Sequence, residues 1–179
     1  MRAWECPARS RNDTAWMGLL IDRSSAKQAH ALGIGHAAEF KLGETSGVAG
    51  HTPLAGEFTV AALADGKFTC TGPMFKGFKM ELGPMAVLQH GNVRVVLASK
   101  KVQAADQEMF RHVGIEPVQQ RIMALKSSVH FRADFQPIAK EVLVVVAPGP
   151  AKADPTMFRW KRLRPGLRLS PGGPVFAPA

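Results

Sequence analysis

The chain has 179 residues, of which 46% are hydrophobic and 21% are charged, and its net charge is +9 at pH 7. These shares are those of an ordinary globular protein, and the length suits one domain with a core of its own. No apolar run approaches the roughly 18 residues of a membrane-spanning helix. The composition therefore predicts one folded core and no association with a membrane.

The excess of positive charge gathers towards the C-terminal end. Residues 148–179 carry a net charge of +5, against +4 for residues 58–147 and zero for residues 1–57. The basic residues of this tail are mainly Arg159, Lys161, Arg162, Arg164 and Arg168. Neither an aromatic ladder nor a zinc-finger spacing accompanies them, so nothing except their charge supports nucleic-acid binding. We therefore predict no nucleic-acid partner.

The first residues and the two cysteines bear on the compartment. Residues 1–7 lack the apolar stretch and the small-residue cleavage site of a secretory signal. Cys6 and Cys70 are too few for a disulfide framework, which fits a reducing cytoplasm. We interpret Cys70 as a small apolar residue inside a strand rather than as a reactive thiol.

The N-terminal part predicts two helices. The apolar stretch at residues 16–21 is compatible with one short helix in an otherwise irregular start. Ser24 or Ser25 would cap a second helix that Gly33 ends. A glycine-rich connection at residues 43–50 follows.

A meander of antiparallel strands is predicted next. Alternating Phe58, Val60 and Ala62 and the turn Asp65-Gly66 indicate a hairpin whose second strand includes Phe68. Further strands are predicted at residues 78–82, 85–89 and 93–98.

Helices and strands alternate after residue 100. Asp106 is a suitable N-cap for a helix that ends before Gly114, and residues 121–125 resemble a strand. A serine-capped short helix through Phe135 precedes residues 141–147, which predict a buried strand that closes the core. The expected fold is α/β (α+β), a mixed β-sheet with antiparallel hairpins in the middle, helix–strand alternation near the C-terminus and helices on one side. We divide the chain into an irregular and truncated start, a main domain and a Pro-rich basic arm: residues 1–24, 25–150 and 151–179.

Motifs of familiar catalytic centres are missing from the sequence. The six histidines form no His-Glu-x-x-His, and the cysteines form no Cys-x-x-Cys, so we predict that this chain binds no metal; a zinc site built from scattered residues stays an alternative. Ser24-Ser25-Ala26-Lys27 matches the short Ser-x-x-Lys pattern, and we interpret it as a helix start. We assign no catalytic residue.

One stretch combines charge, hydroxyls and an imidazole, namely Lys126-Ser127-Ser128-Val129-His130-Phe131-Arg132, the 126–132 segment. Free N–H groups at a strand-to-helix junction favour an anion, and two cations would add charge. The candidate substrate- or anion-binding residues are therefore Lys126, Ser127, Ser128, His130 and Arg132. The alternative is an ordinary helix cap with an inward His and a surface Arg. A second candidate, the loop at residues 72–77, is better explained as a rigid turn.

Several stretches resemble the C-terminal domain of the microcystinase C (MlrC) family of metallopeptidases, in the same order and spacing over residues 25–169. They begin at Gly72 (Gly-Pro-Met), Glu81 (Glu-Leu-Gly-Pro-Met-Ala-Val-Leu), Val95 (Val-Val-Leu-Ala-Ser-Lys), Phe110 (Phe-Arg-His-Val-Gly-Ile-Glu-Pro), Lys126 (Lys-Ser-Ser-Val-His-Phe-Arg-Ala) and Ala147 (Ala-Pro-Gly). The Lys-Ser-Ser-x-His-Phe-Arg stretch is the most specific of them.

The resemblance implies a bacterial zinc peptidase or amidohydrolase whose zinc is held by Asp and His residues of an N-terminal domain that this sequence lacks. The partner would be that missing domain or a separately encoded equivalent, and the substrate a small peptide-like molecule. Arg11-Asn12-Asp13-Thr14 matches the family, but residues 6–10 replace its glycines and a family stretch is missing after Asp22. A truncated or frameshifted gene would explain both departures. We therefore expect an inactive C-terminal portion, or else a non-catalytic assembly module.

Overall fold

The structure, a computed structural model, describes residues 14–44, 52–145, 154–158 and 160–176. Within these ranges the strands are β1 (Ala15–Ile21), β2 (Ala37–Leu42), β3 (Leu54–Ala64), β4 (Lys67–Thr69), β5 (Lys79–Glu81), β6 (Met85–His90), β7 (Val93–Ala98) and β8 (Ile122–Leu125). The α-helices are α1 (Arg23–Leu32), α2 (Glu108–Arg111) and α3 (Arg132–Phe135). No helix among the described residues is long and apolar enough to cross a membrane.

A mixed six-stranded sheet forms the centre of the fold, in the order β2-β3-β6-β7-β1-β8. β1 runs parallel to both of its neighbours, whereas the pairs β2–β3, β3–β6 and β6–β7 are antiparallel. The predicted α+β fold with a mixed sheet is therefore confirmed. The turn at Gly91-Asn92 joins β6 and β7 as predicted.

The helix predicted at residues 16–21 is wrong, because this stretch is β1. It pairs with β7 on one side and with β8 on the other, and its Trp16 and Leu19 are buried. A short apolar run fits a buried strand and a buried helix equally well. Its position between two parallel strands decides the outcome, and that position depends on residues far away in the sequence.

Asp22, rather than Ser24 or Ser25, caps α1. Its carboxylate accepts the Ser25 N–H at 3.0 Å, the Ser24 hydroxyl at 2.7 Å and the Gly43 N–H at 2.9 Å. Burial raises the pKa of Asp22, but these hydrogen bonds together outweigh it, so the pKa lies below the ordinary 3.8. Gly33 ends the helix with a positive φ of 86°, as predicted.

Helices cover both faces of the sheet, so the expectation of helices on one side is wrong. Alternate residues of β6 belong to two separate apolar clusters, because successive strand residues point to opposite faces. Ala26 and Ala29 of α1 pack in one cluster. Helices α2 and α3 contribute to the other, together with Trp16; their residues there are Met109, Phe110 and Phe135.

The hairpin predicted across Asp65-Gly66 is also wrong. β3 pairs with β2 and β6, while β4 pairs with β5 in a small second sheet. The turn therefore carries the chain from one sheet to the other instead of folding it back. Phe78, expected on a buried strand face, lies before β5 and is 64% exposed.

The buried strand predicted at residues 141–147 is wrong for its described part. Residues 141–145 form no strand, and Leu143, Val144 and Val145 are exposed. Several predictions lie outside the described residues, namely those on Cys6, most of the connection at residues 43–50, Ala147, the stop at residues 148–150 and Arg159.

The chain divides into two compact units, residues 1–47 with 52–142 and residues 48–51 with 143–179. The second contains a short 3₁₀ turn, Pro155–Met157, whose Pro155 carbonyl accepts the Trp160 indole N–H at 2.7 Å.

We predict that Asp22→Ala lowers the free energy of unfolding by about 1–3 kcal/mol, since buried N–H groups lose their acceptor. Because the folded pKa of Asp22 is lowered, its stabilising contribution is present above pH 3.8 and is lost as the pH falls through the folded value. Urea unfolding at several pH values measures both effects. Exposed Ser24→Ala is the control and should change stability less; an equal loss in the two variants would contradict this role of Asp22.

Candidate functional site

The 126–132 segment begins at the carboxyl end of β8. Because β1, β7 and β8 are parallel, their carboxyl ends share one edge of the sheet. The Lys126 N–H donates to the Gly18 carbonyl of β1 at 2.7 Å. α1 follows β1 on one face, whereas α2 and α3, which follow β7 and β8, pack on the other. Ligands of open α/β sheets bind outside the carboxyl ends of strands, at such changes of face.

Gln103 connects two of the candidate residues, and it belongs to no motif that would identify it from the sequence. Ser127 Oγ donates to Gln103 Oε1 at 3.2 Å, and His130 Nδ1 lies 3.0 Å from the same oxygen. His130 is exposed and Ser127 is half-buried. The predicted inward histidine of the alternative interpretation is therefore wrong.

The other candidate side chains point into solvent. Lys126, Ser128 and Arg132 are exposed. The Arg132 guanidinium lies 5.3 Å from the centre of the Phe131 ring and donates to Gln136 Oε1 at 3.2 Å. It forms no ion pair within the described part of the chain. The structure thus brings Ser127 and His130 together through Gln103, and neither Lys126 nor Arg132 contacts a carboxylate among the described residues.

Helix α3, at the end of the segment, is short. α3 begins at Arg132 and has four residues, so its dipole is small, and Phe131 rather than a serine precedes it. Ser127 Oγ accepts the Phe131 N–H at 3.3 Å. The predicted serine cap of α3 is therefore wrong, because Phe131 lies in the N-cap position and no side chain caps the helix.

Asp134 fixes the far end of the segment to buried structure. Its Oδ2 accepts the Gln107 N–H at 2.7 Å, and its carbonyl and Oδ1 accept the Gln107 side-chain amide at 2.8 and 3.1 Å. Arg111 donates to Gln107 Oε1 at 3.0 Å and to both oxygens of Glu116. The hydrogen bonds from Arg111 lower the pKa of Glu116. These contacts tie α3 to α2.

Asp106 and Gly72 complete the polar network. Asp106 is fully buried, and its two oxygens accept the N–H groups of Gly72 and Glu108, each at 2.9 Å. α2 begins at Glu108, with Gln107 in the N-cap position predicted for Asp106. Cys70 is buried just after β4, and burial together with the negative charge of Asp106 raises the pKa of its thiol to about 12. The Gly72 N–H is thus held at the start of the loop at residues 72–77, and the raised pKa disfavours the thiolate form of Cys70.

Zinc does not fit the residues that the structure describes. Within residues 14–44, 52–145, 154–158 and 160–176, no three or more His, Cys, Asp or Glu side chains lie together as a metal site requires.

We predict that Gly72→Ala destabilises the fold by about 1–3 kcal/mol, because the added methyl group displaces the carboxylates of Asp106 and Asp134 from their hydrogen-bond partners. A Cβ at Gly72 would lie 2.5 Å from Asp134 Oδ2 and 2.9 Å from Asp106 Oδ2. Gly56→Ala is the matched control, since the nearest atom there is 3.8 Å away. Thermal unfolding of both variants measures the effect, and equal midpoints would contradict it.

Comparisons with known proteins agree on one family. The family model for the MlrC C-terminus matches residues 4–162, which is most of the chain. Microcystinase C of Sphingomonas sp is 23% identical over 131 residues, which cover 73% of this chain and 25% of that protein. A solved metallopeptidase-like structure from Mesorhizobium sp. BNC1 has the same fold, with a TM-score of 0.74, 23% identity and coverage of 85% of this chain and 30% of its own.

The chain thus spans about a quarter of the curated relative and under a third of the solved structure. The matched residues include the main sheet and the 126–132 segment. The resemblance seen in the sequence is confirmed, and the chain belongs to the MlrC C-terminal family.

Proposed function

We propose that this chain is the C-terminal domain of an MlrC-like zinc metallopeptidase or amidohydrolase, that it forms the substrate side of the cleft, and that it is inactive alone. The observation that carries the proposal is the position of the 126–132 segment. It lies at the carboxyl ends of parallel strands, where it presents the exposed side chains of Lys126 and Arg132. Such a position suits the binding of a negatively charged group of the substrate.

The side-chain geometry favours binding over catalysis. Ser127 donates its proton to Gln103 and not to His130, so no Ser–His pair is arranged for nucleophilic attack. Arg132 offers a planar fork of donors, and Lys126 a mobile point charge. Together they suit a carboxylate or phosphate, and a small peptide-like substrate would supply a carboxylate.

The remaining chemistry is proposed to lie in a metal-binding N-terminal domain, the partner of this chain. Two findings support such a partner: the family model describes a C-terminus, and this chain covers only 25% of Microcystinase C of Sphingomonas sp. A bacterial origin, a cytoplasmic location and the absence of nucleic-acid and membrane partners stay predictions, as do the domain boundaries at residues 25 and 151.

A second candidate is an assembly module that completes a separately encoded metal-binding protein. The described residues offer no group of side chains that could hold a metal, although the solved structure from Mesorhizobium sp. BNC1 is described as metallopeptidase-like. In this alternative the 126–132 segment lies at the shared cleft.

We predict that the purified chain contains no stoichiometric zinc and hydrolyses no linear peptide. Metal analysis by mass spectrometry and a peptide-cleavage assay measure both quantities. Zinc at one equivalent together with turnover would refute an inactive C-terminal domain. A family member's metal-binding N-terminal domain, supplied by co-expression, should restore cleavage.

In that restored complex, Arg132→Glu should lower kcat/KM about threefold to tenfold or more, because a repulsive charge replaces an attractive one. Lys27→Glu is the control, because it makes the same change of charge at an exposed position of α1, on the opposite face of the sheet. Equal activities of the two variants would contradict a substrate-binding role for Arg132.

A further inference from the structure

Two candidate site residues share one acceptor, the side-chain oxygen of Gln103. Ser127 Oγ lies 3.2 Å from Gln103 Oε1, and His130 Nδ1 lies 3.0 Å from it. An amide oxygen accepts hydrogen bonds and cannot donate them. Neutral His130 must therefore carry its proton on Nδ1, and its Nε2 then has a free lone pair.

The Gln103 side chain is exposed, and its backbone position places it beside His130. The next two residues, Ala104 and Ala105, are fully buried, and the Ala104 N–H donates to the Lys126 carbonyl at 3.4 Å. The backbone at Gln103 is thus fixed beside the start of the 126–132 segment. His130 Nε2, in contrast, has no hydrogen-bond partner in the described part of the chain, and the ring is exposed.

We propose that Gln103 is a positioning residue that holds His130 in the Nδ1–H tautomer, so that Nε2 is the acceptor of the anion site. This inference rests on the anion binding proposed above and specifies its ligand. Lys126 and Arg132 attract negative charge, whereas an unprotonated Nε2 accepts only from a donor. The site therefore selects an oxyanion that carries or adjoins a hydrogen-bond donor. A protonated phosphate has such a donor in its P–OH, and an acylated amino acid has one in the N–H beside its carboxylate.

The first test is the tautomer of His130, read from two-bond ¹H–¹⁵N correlation spectra of the full chain at a pH where imidazole is neutral. The wild type and Gln103→Glu, which keeps an acceptor oxygen, should show the Nδ1–H form. Gln103→Met, which removes the acceptor at similar length, should shift His130 towards the Nε2–H form that free histidine prefers. Gln89→Met, the same change on β6, should leave His130 unchanged. A retained Nδ1–H form in Gln103→Met would overturn the proposal.

The second test compares matched anions by titration of the wild type and of Gln103→Met at low ionic strength, up to anion concentrations high enough to detect weak binding. Phosphate should bind about fivefold more tightly than sulfate, and N-acetylglycine about fivefold more tightly than acetoxyacetate, which replaces its N–H by an oxygen. Gln103→Met should lose these preferences but keep its sulfate affinity. A preference in only one of the two pairs still supports Nε2 as the acceptor and shows whether its donor is a P–OH or an N–H group. Measurable but equal affinities within both pairs would overturn the acceptor role and leave the anion site standing, whereas no binding of any of the four would refute the anion site itself.

Discussion

The 126–132 segment keeps its place because both of its ends are fixed to buried structure. At the start, the Lys126 N–H joins the strand register through Gly18 of β1. At the far end, Asp134 holds Gln107 through three hydrogen bonds, one of them to the backbone. Between these two attachments the side chains of Ser128, His130 and Arg132 are exposed to solvent. An exposed segment with fixed ends loses less conformational entropy when it binds a ligand than a free loop does.

The fold was predictable where the pattern was local. The apolar stretches within residues 85–98 and the glycines at positions 33 and 91 identified β6, β7, their turn and the end of α1. β2 carried a readable signal that was missed, since Phe40 and Leu42 are buried while Glu39 and Lys41 are exposed.

The rest depended on contacts between distant residues. Whether residues 16–21 form a strand depends on β7 and β8, and whether β4 pairs with β3 or β5 depends on the whole sheet. The motif Lys-Ser-Ser-x-His-Phe-Arg located the candidate segment, but Gln103 could not be found in this way. It precedes that segment by more than 20 residues and meets Ser127 and His130 only after β8 has formed beside β1.

The two kinds of charged group in this region have opposite surroundings. Asp106 is fully buried, and its charge is stabilised by backbone N–H groups that removal of the carboxylate would leave unpaired. The guanidinium of Arg111 donates hydrogen bonds to the carboxylates of Glu108 and Glu116. Lys126 and Arg132, in contrast, contact no carboxylate of the described chain, and so their charge is available to a ligand.

That availability also limits what the segment can do alone. Two cations in water attract an anion weakly, because the high dielectric constant and dissolved salt both screen them. The same groups become several times more effective when a second wall excludes water from the anion. The proposed cleft provides such a wall in the metal-binding partner. In that arrangement the C-terminal domain contributes a fixed set of donors and charges, and the partner contributes the low-dielectric surroundings in which they act strongly.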